Sequence, residues 1–369
     1  MKKRFFILCL FLIFTYTNTY VYADGIDDAF DAERKNQINE SFENAEIDLN
    51  PIEIIEKLNS GDFNIEYENI FQYLKIKLTE TFKDDFSFLI NIFLLVIISS
   101  LVESLQSAFK NDKTVNLVVT GIVVLSTINL TYSVAEFCTQ MIDRLIMFIN
   151  SLIPTLMSFL ASSGKIGTSG ILNPIMLGVS SVISLVIKSF VIPLGIIGLC
   201  LRLTGDITDK KHLNNFGNQI YKLLKIFLGL IFSIYVSIIS IVGVSAPKID
   251  EITLKTTKYA VGNFIPYVGG MLADSVDLIL NCSSVVKNSV GIAGLIGIVS
   301  IVAVPCIRMT VKLILINILS FTVSPVAGKS ILNSINNISS YLGILLSMMV
   351  VVSVMYILSV TVIIFIGGA

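Results

Sequence analysis

Five polar residues recur where the neighbouring chain is apolar: Asp274, Asp277, Asn281, Ser284 and Asn288, spaced 3, 4, 3 and 4 apart. One continuous helix would align all five along a single face. Two carboxylates three residues apart could share a cation, and the amides and hydroxyl beyond them could line a wet path. The row belongs to a longer stretch, Ala246–Gly291, that carries eight charged residues and is broken at Gly262-Asn263-Phe264-Ile265-Pro266. Before the break, Ile249, Ile252 and Tyr259 share a helical face while Glu251, Lys255 and Lys258 lie elsewhere, giving an amphipathic helix. Gly262 and Asn263 stop that helix, and Pro266 can begin the next. Two arrangements fit this pattern. The helices lie on a membrane surface or dock a partner, or they dip into a helix bundle as a broken element whose polar row faces a cavity.

Other chemistry finds no support in the residues. His212 is the single histidine, and the five cysteines (Cys9, Cys138, Cys200, Cys282 and Cys306) are dispersed, so a zinc site with about four N/S ligands is not expected. Ser162-Ser163-Gly164-Lys165-Ile166-Gly167-Thr168-Ser169-Gly170 is rich in Gly and Ser but lacks phosphate-loop spacing, and reads as a turn. No nucleophile has a partner base. The expectation is therefore a protein without catalytic residues, metal or cofactor.

The elements that would position the polar row are helices in lipid. The chain is 54% hydrophobic and 14% charged over 369 residues, against about 25% charged for soluble domains. Met1–Ala23 has the basic, apolar and small-residue regions of a secretory signal, with cleavage expected after Ala23. Residues 24–85 hold 17 acids and 6 bases and form an acidic extracytoplasmic region. Within it, Asp24–Asn50 reads as disordered or loosely helical, and two short amphipathic helices follow from Pro51, split near Gly61. Residues 86–369 read as an all-α polytopic membrane domain of about nine spans. These are Phe86–Leu105, Thr114–Val134, Arg144–Ala161, two within Ile171–Leu203 that turn at Lys188, Leu223–Ser245, Val290–Cys306, Thr310–Val326 and Tyr341–Ile366. One kinked helix is the alternative over 171–203. Glu103, Pro154, Ser162, Ser163, Gly164, Pro174, Lys188 and Pro193 are the polar or helix-breaking residues within or beside these spans. Glu103 is either an intramembrane relay or a headgroup-level carboxylate. Gly291, Gly294 and Gly297 would allow close helix packing.

The chain resembles the stage III sporulation protein AE family of endospore-forming bacteria. The resemblance rests on the signal and acidic head, Leu152-Ile153-Pro154 through Gly164, Asn173-Pro174 and Val191-Ile192-Pro193. Its most specific block runs from Ile252-Thr253-Leu254-Lys255-Thr256 through Gly262–Pro266 and Asp274 and Asp277 to Lys287-Asn288-Ser289-Val290-Gly291. Asn173 stands where a histidine can occur and Gly270 where a basic residue can, so neither position is a candidate for obligatory chemistry. The resemblance implies a multi-pass protein of the mother-cell membrane around the forespore, with its N-terminal region extracytoplasmic. It implies partners from the same operon: a secretion-type ATPase, small membrane proteins and the ring-forming proteins AG and AH, with forespore protein Q reached indirectly. It also implies a channel or export-platform role that maintains the forespore and late forespore sigma-factor activity. A non-conducting scaffold and an autonomous secondary transporter are the alternatives.

Overall fold

The computed structural model describes residues 32–45, 47, 49–59, 90, 93–94, 97, 113–208, 210–264, 269–325 and 328–368; over 32–34, 59, 113–130, 243–287 and 367–368 only the backbone is described. The signal segment, the amphipathic pattern after Gly61, Glu103 and most of Phe86–Leu105 lie outside these residues. The described residues are helical, without a strand. The helices are α1 (Ala32–Asn44), α2 (Pro51–Asn59), α3 (Lys113–Ser162) and α4 (Ile166–Val186), then a π-helical turn (Ile187–Val191), α5 (Ile192–Thr208), α6 (Lys211–Phe264), α7 (Gly269–Val323) and α8 (Lys329–Gly368).

Among the described residues, five stretches are long and apolar enough to cross a membrane: Thr131–Ser162, Ile166–Thr208, Lys211–Val242, Asn288–Val323 and Lys329–Ile366. Several boundaries expected from the sequence are absent. Thr114–Val134 and Arg144–Ala161 are one helix of 50 residues. No Gly or Pro separates them; Glu136 and Gln140 face outward while Cys138, Met141, Ile142 and Leu145 continue the buried stripe. Polar residues on one face do not end a helix whose other face stays apolar. Val290–Cys306 and Thr310–Val326 likewise join within α7, which carries Pro305 inside it.

The two spans expected within 171–203 are also one path. Lys188 is in the π-helical turn and not in a hairpin, so the kinked-helix alternative holds there. The cause lies two residues downstream of Val191. Pro193 has no N–H, and its ring crowds the carbonyl four residues back. Widening the helix to i→i−5 bonding relieves that clash, and the Ile192 N–H accordingly bonds the Ile187 carbonyl.

α3 and α8 form the centre. Over half of the apolar α3 window is buried (56%), against 17% for α6, which sits at the periphery. Phe148 and Phe159 of α3 and Tyr341 and Tyr356 of α8 are fully buried. The glycines of α7 permit the close approach that their spacing implied. A Cβ on Gly294 would lie 2.5 Å from Leu152 Cδ2, one on Gly297 2.5 Å from Phe148 Cζ, and one on Gly291 would collide with Ile364.

The N-terminal helices are part of this core, which corrects the loose reading of residues 32–44. Ile38, Ser41, Phe42 and Ala45 make a buried stripe at helical spacing. The Phe42 ring meets Phe148 edge-on at 5.2 Å, and Ser41 Oγ lies 2.6 Å from Ser151 Oγ. α2 starts on an Asn50 cap, whose Oδ1 accepts the Ile52 and Glu53 N–H groups at 3.1 and 3.3 Å, with Pro51 at the first helical position. Lys57 pairs with Glu53 at 2.7 Å and holds its carboxyl below the usual range, but both are exposed and the pair adds little stability.

Candidate functional site: polar clusters in an apolar bundle

The turn between α3 and α4 is built by Gly164, which takes φ 81°. The Lys165 N–H bonds the Leu160 carbonyl at 3.1 Å and the Gly164 N–H bonds Ala161 at 3.0 Å, closing the helix end as a Schellman motif. Ser162 and Ser163 direct their hydroxyls back to the Ser158 and Leu160 carbonyls at 2.9 and 2.8 Å. These two serines are therefore spent on the backbone. Lys165 reaches across to donate to the Ile366 carbonyl at 2.5 Å, near the C-terminal end of α8 where a cation is favourable. The expected long Gly/Ser loop is only this turn, and residues 166–170 are already α4.

Lys188 finds a partner that sequence reasoning missed. It forms an ion pair with Asp143 of α3, near the middle of both apolar stretches. The side chains are 38% and 40% exposed, so the pair opens on the bundle's outside or on a crevice between helices. An ionised pair at that depth is rare and tends to mark function. Asp143 was hidden because it appeared to sit in a loop between two spans. Pro154, Pro174 and Pro193 are all exposed and inside helical paths, so they do not end the helices that carry them.

A second cluster was unforeseen. Asp206, near the end of α5, is buried. Its Oδ1 accepts Asn214 Nδ2 at 2.8 Å, its Oδ2 accepts Asn337 Nδ2 at 2.5 Å and Ser334 Oγ at 3.3 Å, and its carbonyl accepts Ser330 Oγ at 2.5 Å. One residue thus ties α5, α6 and α8 together. One turn before it, Arg202 lies over the Tyr221 ring, 4.7 Å from its centroid, and Tyr221 stacks on Tyr341 at 6.4 Å. The only sequence hint was Arg202 and Asp206 at i, i+4; nothing linked either to α8. Further along α8, Tyr235 of α6 donates to the Met355 carbonyl at 2.5 Å and bonds the Ser359 hydroxyl, while Tyr356 bonds Ser180 of α4 at 3.2 Å.

The broken stretch has a definite backbone. Gly262, Asn263 and Phe264 are the last residues of α6, and α7 begins at Gly269. Pro266 lies outside the described residues. The amphipathic segment from Ile249 is continuous with the preceding span and is not a separate surface helix. Asp274, Asp277, Asn281, Ser284, Lys287 and Asn288 all fall on α7, unbroken from Gly269 into the apolar stretch, so the five-residue row keeps one helical register. Asn288, its last member, is half-buried, and its Oδ1 is buried without a hydrogen-bond partner among the described residues.

The profile of the family described as stage III sporulation protein AE matches residues 49–367, which includes the broken stretch, the polar row and every described span. The chain belongs to the stage III sporulation protein AE family. The stage III sporulation protein AE of Bacillus subtilis (strain 168) is 29% identical over 278 residues, 74% of this chain and 70% of that protein. No solved structure matches. As an AE-family protein the chain has a role in sporulation, and its five apolar helices are those of a membrane protein.

Proposed function

We propose that the protein is a multi-pass channel or export-platform subunit of a sporulation-specific transport apparatus in the mother-cell membrane facing the forespore, acting without catalysis of its own. The N-terminal region is extracytoplasmic in this reading. The partners are the other proteins of the same operon, with the secretion-type ATPase and the ring proteins AG and AH foremost and forespore protein Q reached through them. The observation that supports it is the course of α7: a polar row in one helical register leads from Asp274 to Asn288, the first residue of the apolar stretch, whose amide oxygen is buried and unpartnered among the described residues. A polar face that leads up to an apolar bundle and ends in an unpartnered buried amide suits the mouth of a path for polar cargo. The Asp274→Ala/Asp277→Ala double variant is expected to accumulate normally and to block sporulation after engulfment. Wild-type spore yield from that variant would overturn the pore-lining role.

A scaffold reading draws on a different observation. α6 and α7 are 54 and 55 residues long, about 80 Å each, where the hydrocarbon layer needs about 30 Å. The excess length on both sides of the break suits a docking arm for ring or ATPase partners. Cysteine labels placed along 249–288 should then be protected only when partners are present; protection in the isolated protein would argue for burial in its own bundle.

A further inference from the structure

Beside the Asp206 cluster is a cavity of about 230 Å³ lined by Arg202, Asn218, Tyr221, Lys222, Lys225 and Ser340. Three of the six lining residues are cations and none is acidic. Asp206, the nearest carboxylate along α5, already accepts hydrogen bonds from Asn214, Asn337 and Ser334. Among the described residues, no ion pair engages Arg202, Lys222 or Lys225, and the Arg202 guanidinium is held in place by the Tyr221 ring below it. Asp206, one turn on from Arg202, offsets part of that charge, but no carboxylate lines the cavity beside Lys222 and Lys225, and positive charges that share a cavity repel one another unless an anion joins them.

The level of the cavity says what kind of anion. The first two turns of α6 expose mainly polar residues (Lys211, His212, Asn215 and Asn218) with Phe216 among them, and the continuous exposed apolar face follows at Leu223, Ile226, Leu230 and Ile234. Lys222 and Lys225 therefore stand where the helix passes from a water-facing to a lipid-facing surface. That is the level of headgroup phosphates, where basic pockets between helices hold anionic lipids. Arg202 offers a planar fork matched to phosphate oxygens, the lysines add two mobile point charges, and the Asn218 amide adds neutral donors.

We propose that this cavity is a binding site for a negatively charged phosphate group, carried by an anionic glycerophospholipid headgroup or free in solution. Detergent-solubilised full-length protein is titrated with short-chain phosphatidylglycerol, with phosphatidylcholine of the same chain length and with inorganic phosphate, and thermal unfolding is followed. A saturable rise in Tm with phosphatidylglycerol, absent with phosphatidylcholine and not competed by inorganic phosphate, assigns the site to a lipid. A saturable rise with inorganic phosphate alone assigns it to the free ion. In either case Lys222→Ala/Lys225→Ala should weaken half-saturation about 25-fold, roughly fivefold per lysine. Lys222→Arg/Lys225→Arg should respond like the wild type. Both lysines are exposed, so neither variant threatens the fold. Equal responses of the wild type and the alanine variant, or no response to either anion, would overturn the site.

Discussion

Asp206 shows how much one buried carboxylate can organise in an apolar bundle. Its two oxygens and its carbonyl take four hydrogen bonds from α6 and α8. Asp206→Ala leaves the Asn214 and Asn337 amides without their acceptor, and buried donors left unmade cost about 1–3 kcal/mol. We expect a loss of that size in thermal unfolding in detergent, with Asp206→Asn milder because it keeps one acceptor. An unchanged Tm in Asp206→Ala would show that water replaces the carboxylate freely. The Asp143–Lys188 pair makes a separate residue-scale prediction. Asp143→Lys and Lys188→Asp should each lower Tm and accumulation, and the combined swap should recover a coupling of about 1 kcal/mol or more. Additive losses in the double variant would mean that the two charges act independently.

At the scale of elements, backbone proximity decides which substitutions matter. A Cβ on Gly217 of α6 would lie 2.7 Å from the Gly198 carbonyl of α5 and would strike the Arg202 side chain. A backbone atom cannot swing aside, so Gly217→Ala must push α5 and α6 apart, at about 1–3 kcal/mol. Gly229, on the same helix, has open space around it, and Gly229→Ala should be neutral or slightly stabilising. Equal Tm for the two alanine variants would contradict the packing. α1 is the other element with a sharp test. Ser41 and Ser151 are neighbours, so Ser41→Cys/Ser151→Cys should cross-link on mild oxidation and fix α1 to α3. Failure to cross-link would return α1 to the role of a loose tether.

At the scale of the molecule, the π-helical turn sets the topology. If 166–208 is one helical path, Ile166 and Lys210 lie on opposite sides of the membrane; two spans turning at Lys188 would place them on the same side. Both residues are exposed. Single cysteines at 166 and 210 should therefore be labelled by an impermeant reagent from opposite faces, and same-side labelling would restore the hairpin. Spans that were counted separately also fuse in α3 and α7, which leaves fewer crossings and longer helices. Length beyond the bilayer's needs leaves helical surface outside the lipid, which is what the proposed scaffold reading would use.

The sequence by itself determined class and composition: an all-helical membrane protein, a helix end within Gly262–Pro266 (α6 stops at Phe264), the close-packing glycines of α7 and the family. These follow from hydropathy, helical spacing and residues that constrain the backbone locally, all written along the chain. It did not determine where helices end. Charged or Pro-containing stretches such as 135–143 and 187–193 looked like turns, because a one-dimensional reading cannot see that the opposite face of the helix stays packed. Nor could it pair Asp143 with Lys188, or Asp206 with Asn337, 131 residues away. Those pairings come only from helices folding side by side, because a buried polar group must find its partner in space, and its sequence neighbours on the same helix point elsewhere.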